Sequence, residues 1–281
     1  MRIDLHAHST ASDGTESPAR VVEVAHAAGL DVLALTDHDT TEGWAEASRA
    51  ACRVGVTLVP GAEISTQVRG IGVHLLSYLH DPLAPGLRAE LEGTRADRVD
   101  RARRMVRAMS ADLGITWSDV LAQVHGDATV GRPHIADALV AARVVADRDE
   151  AFATVLHAGS PYYLPHYAPP AATIVGLVRE AGGVPVLAHP RAGKRGRVLS
   201  DDEIARLAEA GLGGLEIDHR DHDARERAHL AGLAAELGLL RTGSSDYHGT
   251  GKLNAIGENV TAPEVLEAIL EQGNRDRLVV P

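Results

Sequence analysis

Short apolar runs alternate with longer amphipathic stretches over much of this chain, and that alternation predicts its elements. Residues 2–9 read as a first strand, and residues 17–28 as a helix with Pro18 in its first turn and Gly29 ending it. Val32, Leu33, Ala34 and Leu35 are too few for a helix and apolar throughout, the pattern of a strand covered on both faces of a parallel sheet. A helix over 43–54, a strand over 56–59 running into Pro60-Gly61-Ala62-Glu63, and a strand over 72–79 follow. From 82 to 164 the rhythm breaks into helical segments at 88–113, 117–124, 133–145 and 149–156, with no strand among them. A proline-rich tract over 160–170 marks the return. Helices at 171–181, 201–210, 222–237 and 263–271 then alternate with strands at 184–188, 214–218 and 239–242, and residues 254–260 hold one more short strand candidate. About seven βα units are enough to close a barrel. The expected organisation is an α/β barrel in two parts, 1–82 and 166–281, with a helical insert over 83–165.

Composition narrows the class. The 281 residues are 44% hydrophobic and carry 28 Lys+Arg against 39 Asp+Glu, a formal charge of −11, which describes a folded domain with ample core. Net acidity argues against a protein that coats long nucleic acid through Lys and Arg. The single cysteine, Cys52, excludes an intrachain disulfide and reads as a small residue on a helix face. No apolar run approaches the roughly 18 residues of a membrane span, and MRIDLHAHST has no apolar leader core, so a cytoplasmic location is expected, with no membrane and no obligate protein partner. Against one Phe, two Trp and five Tyr the chain has 15 histidines, so imidazole serves something other than packing.

Their positions say what. His6 and His8 lie two apart on the first strand and share a face with Asp4. Nearly every later strand ends in, or contains, a metal-type ligand: Asp37-His38-Asp39, Glu63, His74, His189, and Asp246 with His248. In a βα barrel the strand ends converge on one mouth, so these scattered residues become neighbours. Imidazole and carboxylate without thiolate suit Mn, Zn or Fe. The ligands are too many for one ion, which implies two or three divalent ions about 3.5–4 Å apart with Glu63 as bridge. Such a site lowers the pKa of a bound water and neutralises a phosphoryl group, so hydrolysis is the expected chemistry. The alternative, a set of unrelated core histidines, requires every one of these strand-end placements to coincide.

The segments DLHAHSTASDGT, LTDHDT, PGAEIST, the strand around His74, LAHP and GSSDYHG resemble, in order, the motifs of the PHP (polymerase and histidinol phosphatase) family. The resemblance implies a distorted (β/α)7 TIM-like barrel and a trinuclear site: His6, His8, Glu63 and Asp246 on one ion, Asp13, His38 and His248 on the second, Glu63, His74 and His189 on the third. Asp13 enters only through the resemblance, since SDG alone reads as a turn. The compact chain and its insert are similar to the branch of AMP phosphatases, 3′,5′-nucleoside bisphosphate phosphatases and 5′-to-3′ exonucleases on short RNA. That implies a small phosphorylated nucleotide, or a short RNA oligomer, as substrate.

GRPHIA opens a helix with Pro at its first turn, and a helix N-terminus beside Arg132 and His134 is a ready phosphate pocket. Arg132 can grip two phosphate oxygens at once. Arg95, Arg98 and Arg101 recur every three residues among acids, the pattern of a solvated face, while the branch resemblance makes Arg98 and Arg101 substrate contacts. His248 is expected to reach the substrate as well, Glu63 to be catalytic, and a group near Asp39 or His134 to help the leaving oxygen depart. Lys194, Arg195 and Arg197 are loop cations able to guide an anion. His219 and His222 follow a strand end, which allows a role behind the ligands or toward substrate, but they read more simply as exposed loop residues, and His26 and His229 as helix surface. Two other functions fit the pattern: histidinol-phosphate phosphatase, and a non-catalytic metal- or nucleotide-binding module.

Overall fold

A computed structural model describes residues 1–124, 129–165 and 167–281. Seven strands form one sheet in sequence order: β1 (Ile3–Asp4), β2 (Val32–Leu35), β3 (Thr57–Val68), β4 (Ile71–Tyr78), β5 (Val184–Leu187), β6 (Gly214–Asp218) and β7 (Leu240–Gly243). The sheet curls until its ends meet, where Ala7 bridges Tyr247 and His8 N–H donates to the Tyr247 carbonyl at 2.8 Å. The result is a nearly closed, TIM-like barrel. Helices α1 (Pro18–Ala27) and α2 (Trp44–Val54) flank its first strands. Helices α3 (Pro85–Leu113), α4 (Trp117–Leu121), α5 (Arg132–Ala141) and α6 (Arg148–Thr154) come between β4 and β5, and α7 (Ala171–Glu180), α8 (Asp201–Glu209), α9 (Ala224–Leu237) and α10 (Pro263–Gln272) cover the rest.

The expected βα repeat fails at one place, with a consequence for the site. No helix separates β3 from β4. They form an antiparallel hairpin whose two-residue turn is Arg69 (φ 50°) and Gly70 (φ 78°), both left-handed as a type I′ turn requires. β4 also pairs antiparallel with β5, while the other neighbours are parallel. Because β4 runs backwards, its first half faces the mouth, and Ser65 pairs with His74 there. Residues 254–260 form no strand, and regular pairing in the first strand is confined to Ile3–Asp4.

Packing follows the alternation. In α1, Ser17 caps the helix by accepting from Arg20 N–H, Pro18 opens it, and Val21, Val22 and Ala25 meet Ala47, Ala50 and Ala51 of α2. Leu187, Leu215 and Ile217 turn outward against α7, α8 and α9, and the inward cluster of Ile3, Val32, Leu76, Tyr78 and Val186 is completed by α10. Helices α3 to α6 share an apolar cluster of their own, including Met105, Met109, Ile135, Leu139 and Leu156. Among the described residues no helix is long and apolar enough to cross a membrane.

Candidate metal centre and phosphate pocket

Six loops and strand ends deliver the predicted ligands to one buried point. The Nε2 atoms of His6 and His8 lie 3.0 Å apart, and each is 3.1 Å from Glu63 Oε2. Asp246 Oδ1 is 3.4 Å from both. On the far side of His8, Asp13 Oδ1 approaches its Nδ1 at 3.6 Å and His248 Nε2 at 3.3 Å, and His38 Nε2 is 3.4 Å from Glu63. The other Glu63 oxygen meets His74 Nδ1 at 2.7 Å and His189 Nε2 at 3.0 Å. Three overlapping ligand groups result: His6, His8, Glu63 and Asp246; His8, Asp13, His38 and His248; and His38, Glu63 and His74. Glu63, inside the barrel and 1% exposed, touches most of them.

The local chain geometry makes this possible. Asp39 (φ 54°), His189 (φ 30°) and Asp246 (φ 55°) hold left-handed backbone although none is glycine. Such positions cost about 1–3 kcal/mol and gather where a site requires them. Asp37, one step before His38, accepts from Ser9 N–H, Ser9 Oγ and Ser12 Oγ at 2.6–2.7 Å and so anchors the loop that carries Asp13.

Electrostatics divides the imidazoles. Burial alone would lower His8, but the adjoining Asp246 and Glu63 carboxylates outweigh it and push the ring up to about 9. His248 is pushed down to about 4 by burial, then by His8 and Lys252. Glu63 and Asp13 fall well below the carboxylate range, because surrounding imidazoles outweigh the effect of burial. His8 Nδ1 and His248 Nε2 make no hydrogen bond among the described residues although buried. Buried carboxylates with converging, unsatisfied imidazole nitrogens are a donor set that divalent N/O-binding ions fit.

Beside this centre stand two stacked guanidiniums. Arg101 is 4% exposed and lies 5.1 Å over the Tyr163 ring, and Arg132 lies 5.8 Å from the same ring and 5.3 Å over Phe152. Each gives one hydrogen bond to a carbonyl, Arg101 to Leu164 and Arg132 to Leu156. Neither has a carboxylate partner among the described residues, and Arg101 Nη2 is buried without a partner. Burial, then the charge of Arg132, lowers Arg101 to about 10. Arg132 opens α5 as expected, and His134 caps it by accepting Gly131 N–H at Nδ1 (3.2 Å), which leaves the ring proton on Nε2. His134 also lines a cavity of about 180 Å³ with Thr10, Ser12, Thr15, Asp137 and Arg148.

Three expectations change. Asp39 is not an open group at the mouth: it is fully buried, and its oxygens accept from Ser65 N–H (2.7 Å), Ser65 Oγ (2.9 Å) and Arg98 Nη2 (2.6 Å). Arg98 is correspondingly committed to Asp39 and Ser65 Oγ rather than presented freely to substrate. His219 and His222 are not exposed but 0% and 3% accessible, with His219 Nε2 3.6 Å from Asp246. His26, His229 and Cys52 are exposed as expected. Lys194 and Arg197 are exposed, and the side chain of Arg195 lies outside the described residues. Sequence reasoning also missed Lys252, whose ammonium is 3.1 Å from Asp246, and Glu216, which lies between Leu215 and Ile217 in the strand GLEID. An acid flanked by apolar residues within a strand was the available signal.

The comparisons agree with this geometry. Residues 4–125 match the PHP domain. A 3′,5′-nucleoside bisphosphate phosphatase of Chromobacterium violaceum is 35% identical over 257 residues, 89% of this chain and 88% of that protein. A 5′-3′ exoribonuclease of Haemophilus influenzae is 35% identical over 251 residues, 88% and 90% of the two chains. A crystal structure from Bifidobacterium adolescentis, assigned as a metal-dependent phosphoesterase, superposes with a TM-score of 0.94 at 44% identity, covering 96% of each chain. The chain belongs to the PHP family, and within it to the metal-dependent phosphoesterases.

Proposed function

We propose that the substrate is a small nucleotide, a 5′-monophosphate such as AMP or a nucleoside 3′,5′-bisphosphate, with the 5′ end of short RNA as an extended form of the same ligand. The observation that carries this is the pairing of two unlike sites: a buried histidine–carboxylate centre suited to cations, and next to it two guanidiniums on Tyr163 that have no ion-paired carboxylate among the described residues. A ligand with a reacting phosphate and a second anionic group answers both. The relatives named for a nucleoside bisphosphate and for RNA support the same class.

His6, His8, Glu63 and Asp246 would hold one ion, Asp13, His38 and His248 a second with His8 beside them, and Glu63, His74 and His189 a third. Mn, Zn or Fe bound there supplies a water of lowered pKa and neutralises phosphoryl charge. The remaining roles fall to the chain. Glu63 joins the ligand groups and keeps their spacing. Arg101 and Arg132 bind the second phosphate, Tyr163 fixing both planes, and the Nε2–H of His134 donates to an oxygen of the bound nucleotide. Arg98, locked by Asp39, packs beside Gly131 and adds positive potential there: a Cβ on Gly131 would lie 3.5 Å from Arg98 Cδ.

The test is phosphate release from AMP, adenosine 3′,5′-bisphosphate, histidinol phosphate and a 5′-phosphorylated RNA trimer with added manganese, and Glu63→Gln as control. Release from either adenine nucleotide and none from histidinol phosphate is expected. The opposite pattern would overturn the nucleotide assignment.

A further inference from the structure

Glu216 is wholly buried on β6, and none of the ligand groups among the described residues includes it. Its Oε1 accepts from His6 Nδ1 at 2.9 Å and from Ser244 Oγ at 2.6 Å, and its Oε2 accepts from His189 N–H at 2.8 Å. A carboxylate receiving three donors offers no proton of its own, so His6 Nδ1 carries a proton toward Glu216, and Nε2, which faces His8 and Glu63, is the ring nitrogen left to bind an ion. The third bond reaches the backbone of His189, whose φ of 30° is left-handed without glycine. One side chain thus sets the tautomer and orientation of one candidate ligand and the backbone turn of another, from opposite sides of the centre.

We infer that Glu216 is the positioning residue of the metal centre, fixing the His6 tautomer and the turn at His189 so that both imidazoles face the ions. The inference rests on the metal-ligand reading above. Carboxylates in this position raise ligand basicity and lock ring orientation, and their loss costs about 10–100-fold in metal affinity. A glutamine is isosteric but cannot satisfy the same donors. Its NH2 must face either His6 Nδ1, which moves the imidazole proton to Nε2 and blocks the lone pair, or the His189 N–H, which leaves two donors opposed. Ser244→Ala removes a donor from Glu216 and touches neither ligand.

The experiment is titration of the full-length protein with Mn²⁺ and Zn²⁺, with metal content after dialysis, alongside ¹⁵N-histidine spectra that report which ring nitrogen of His6 is protonated. Wild type should show a protected Nδ1–H on His6 and tight binding. Glu216→Gln should keep its fold by circular dichroism, lose about 10–100-fold in affinity and show the His6 proton displaced to Nε2. Ser244→Ala should bind as wild type does. Wild-type His6 protonated on Nε2 in the metal-bound protein, or Glu216→Gln binding with unchanged affinity while wild type binds tightly, would overturn this inference alone. A wild type that binds no metal would overturn the reading of the centre and this inference with it.

Discussion

Charge is gathered in two neighbouring regions, and it is arranged oppositely in each. At the barrel mouth, carboxylates and imidazoles interleave until Glu63 alone has five histidine rings within 3.4 Å. At the edge of the insert, Arg101 and Arg132 share one aromatic ring and, among the described residues, no ion-paired acid. The first arrangement lowers Glu63 and Asp13 and calls for cations. The second lowers Arg101 and calls for an anion. Burial is common to both, so the sign of the missing partner is read from composition at each point. A phosphorylated ligand held by divalent ions, as proposed above, completes the pair.

The largest expected effect comes from the cation side. Glu63→Gln removes the charge that several rings share, and turnover should fall by about 10²–10³-fold, as when a central electrostatic group is lost, with metal content falling too; near-normal activity with full metal would contradict its joining role. Next, on the anion side, Arg132→Ala should lower kcat/KM for adenosine 3′,5′-bisphosphate by about 10–100-fold, the worth of a charged hydrogen bond, while sparing a substrate with a single phosphate. An equal loss on both substrates would show that the patch does not discriminate.

A histidine outside the centre gives the contrast its control. His80 packs 4.9 Å from the Trp44 ring and hydrogen-bonds to Ser77 Oγ, and burial lowers it to about 4, whereas acids raise His8 to about 9. A folded-state value below the unfolded one, near 6.5, means the unfolded chain takes up the proton first. The contribution of His80 is therefore whole above about pH 6.5 and lost as pH falls toward 4. Between pH 7 and 5 wild type should lose about 2 kcal/mol that His80→Leu does not, measured as the difference in denaturant midpoints. Smallest, and remote from both regions, Ser17→Ala should cost about 1 kcal/mol of stability by removing the α1 cap and leave kcat unchanged.

How far the sequence could be read differs between these regions. His6, His8, His38, Glu63, His74, His189, Asp246 and His248 stood out because each ends or lies within an apolar strand, where a polar residue must have a reason. Asp13 had no such setting and needed the family pattern. The helices of the insert were legible within a few residues, because a 3.6-residue period leaves a trace in one dimension. The reversal of β4 was not, because an antiparallel strand and a parallel one have the same alternation, and only the turn at Arg69-Gly70 separates them. Arg98 and Arg101 stand one turn apart on α3, yet one is tied to Asp39 and the other lies on Tyr163. Their shared spacing could not distinguish them.

Local order was enough to determine the barrel class, the helical insert and the supply of imidazole and carboxylate ligands, since periodicity and residue chemistry are properties of neighbours along the chain. Partnership was decided only in the folded molecule. Glu216 reaches His6 across 210 positions and Asp39 takes Arg98 across 59. Which acid neutralises which base, and which guanidinium is left over for a ligand, depends on distances through space that no stretch of sequence encodes.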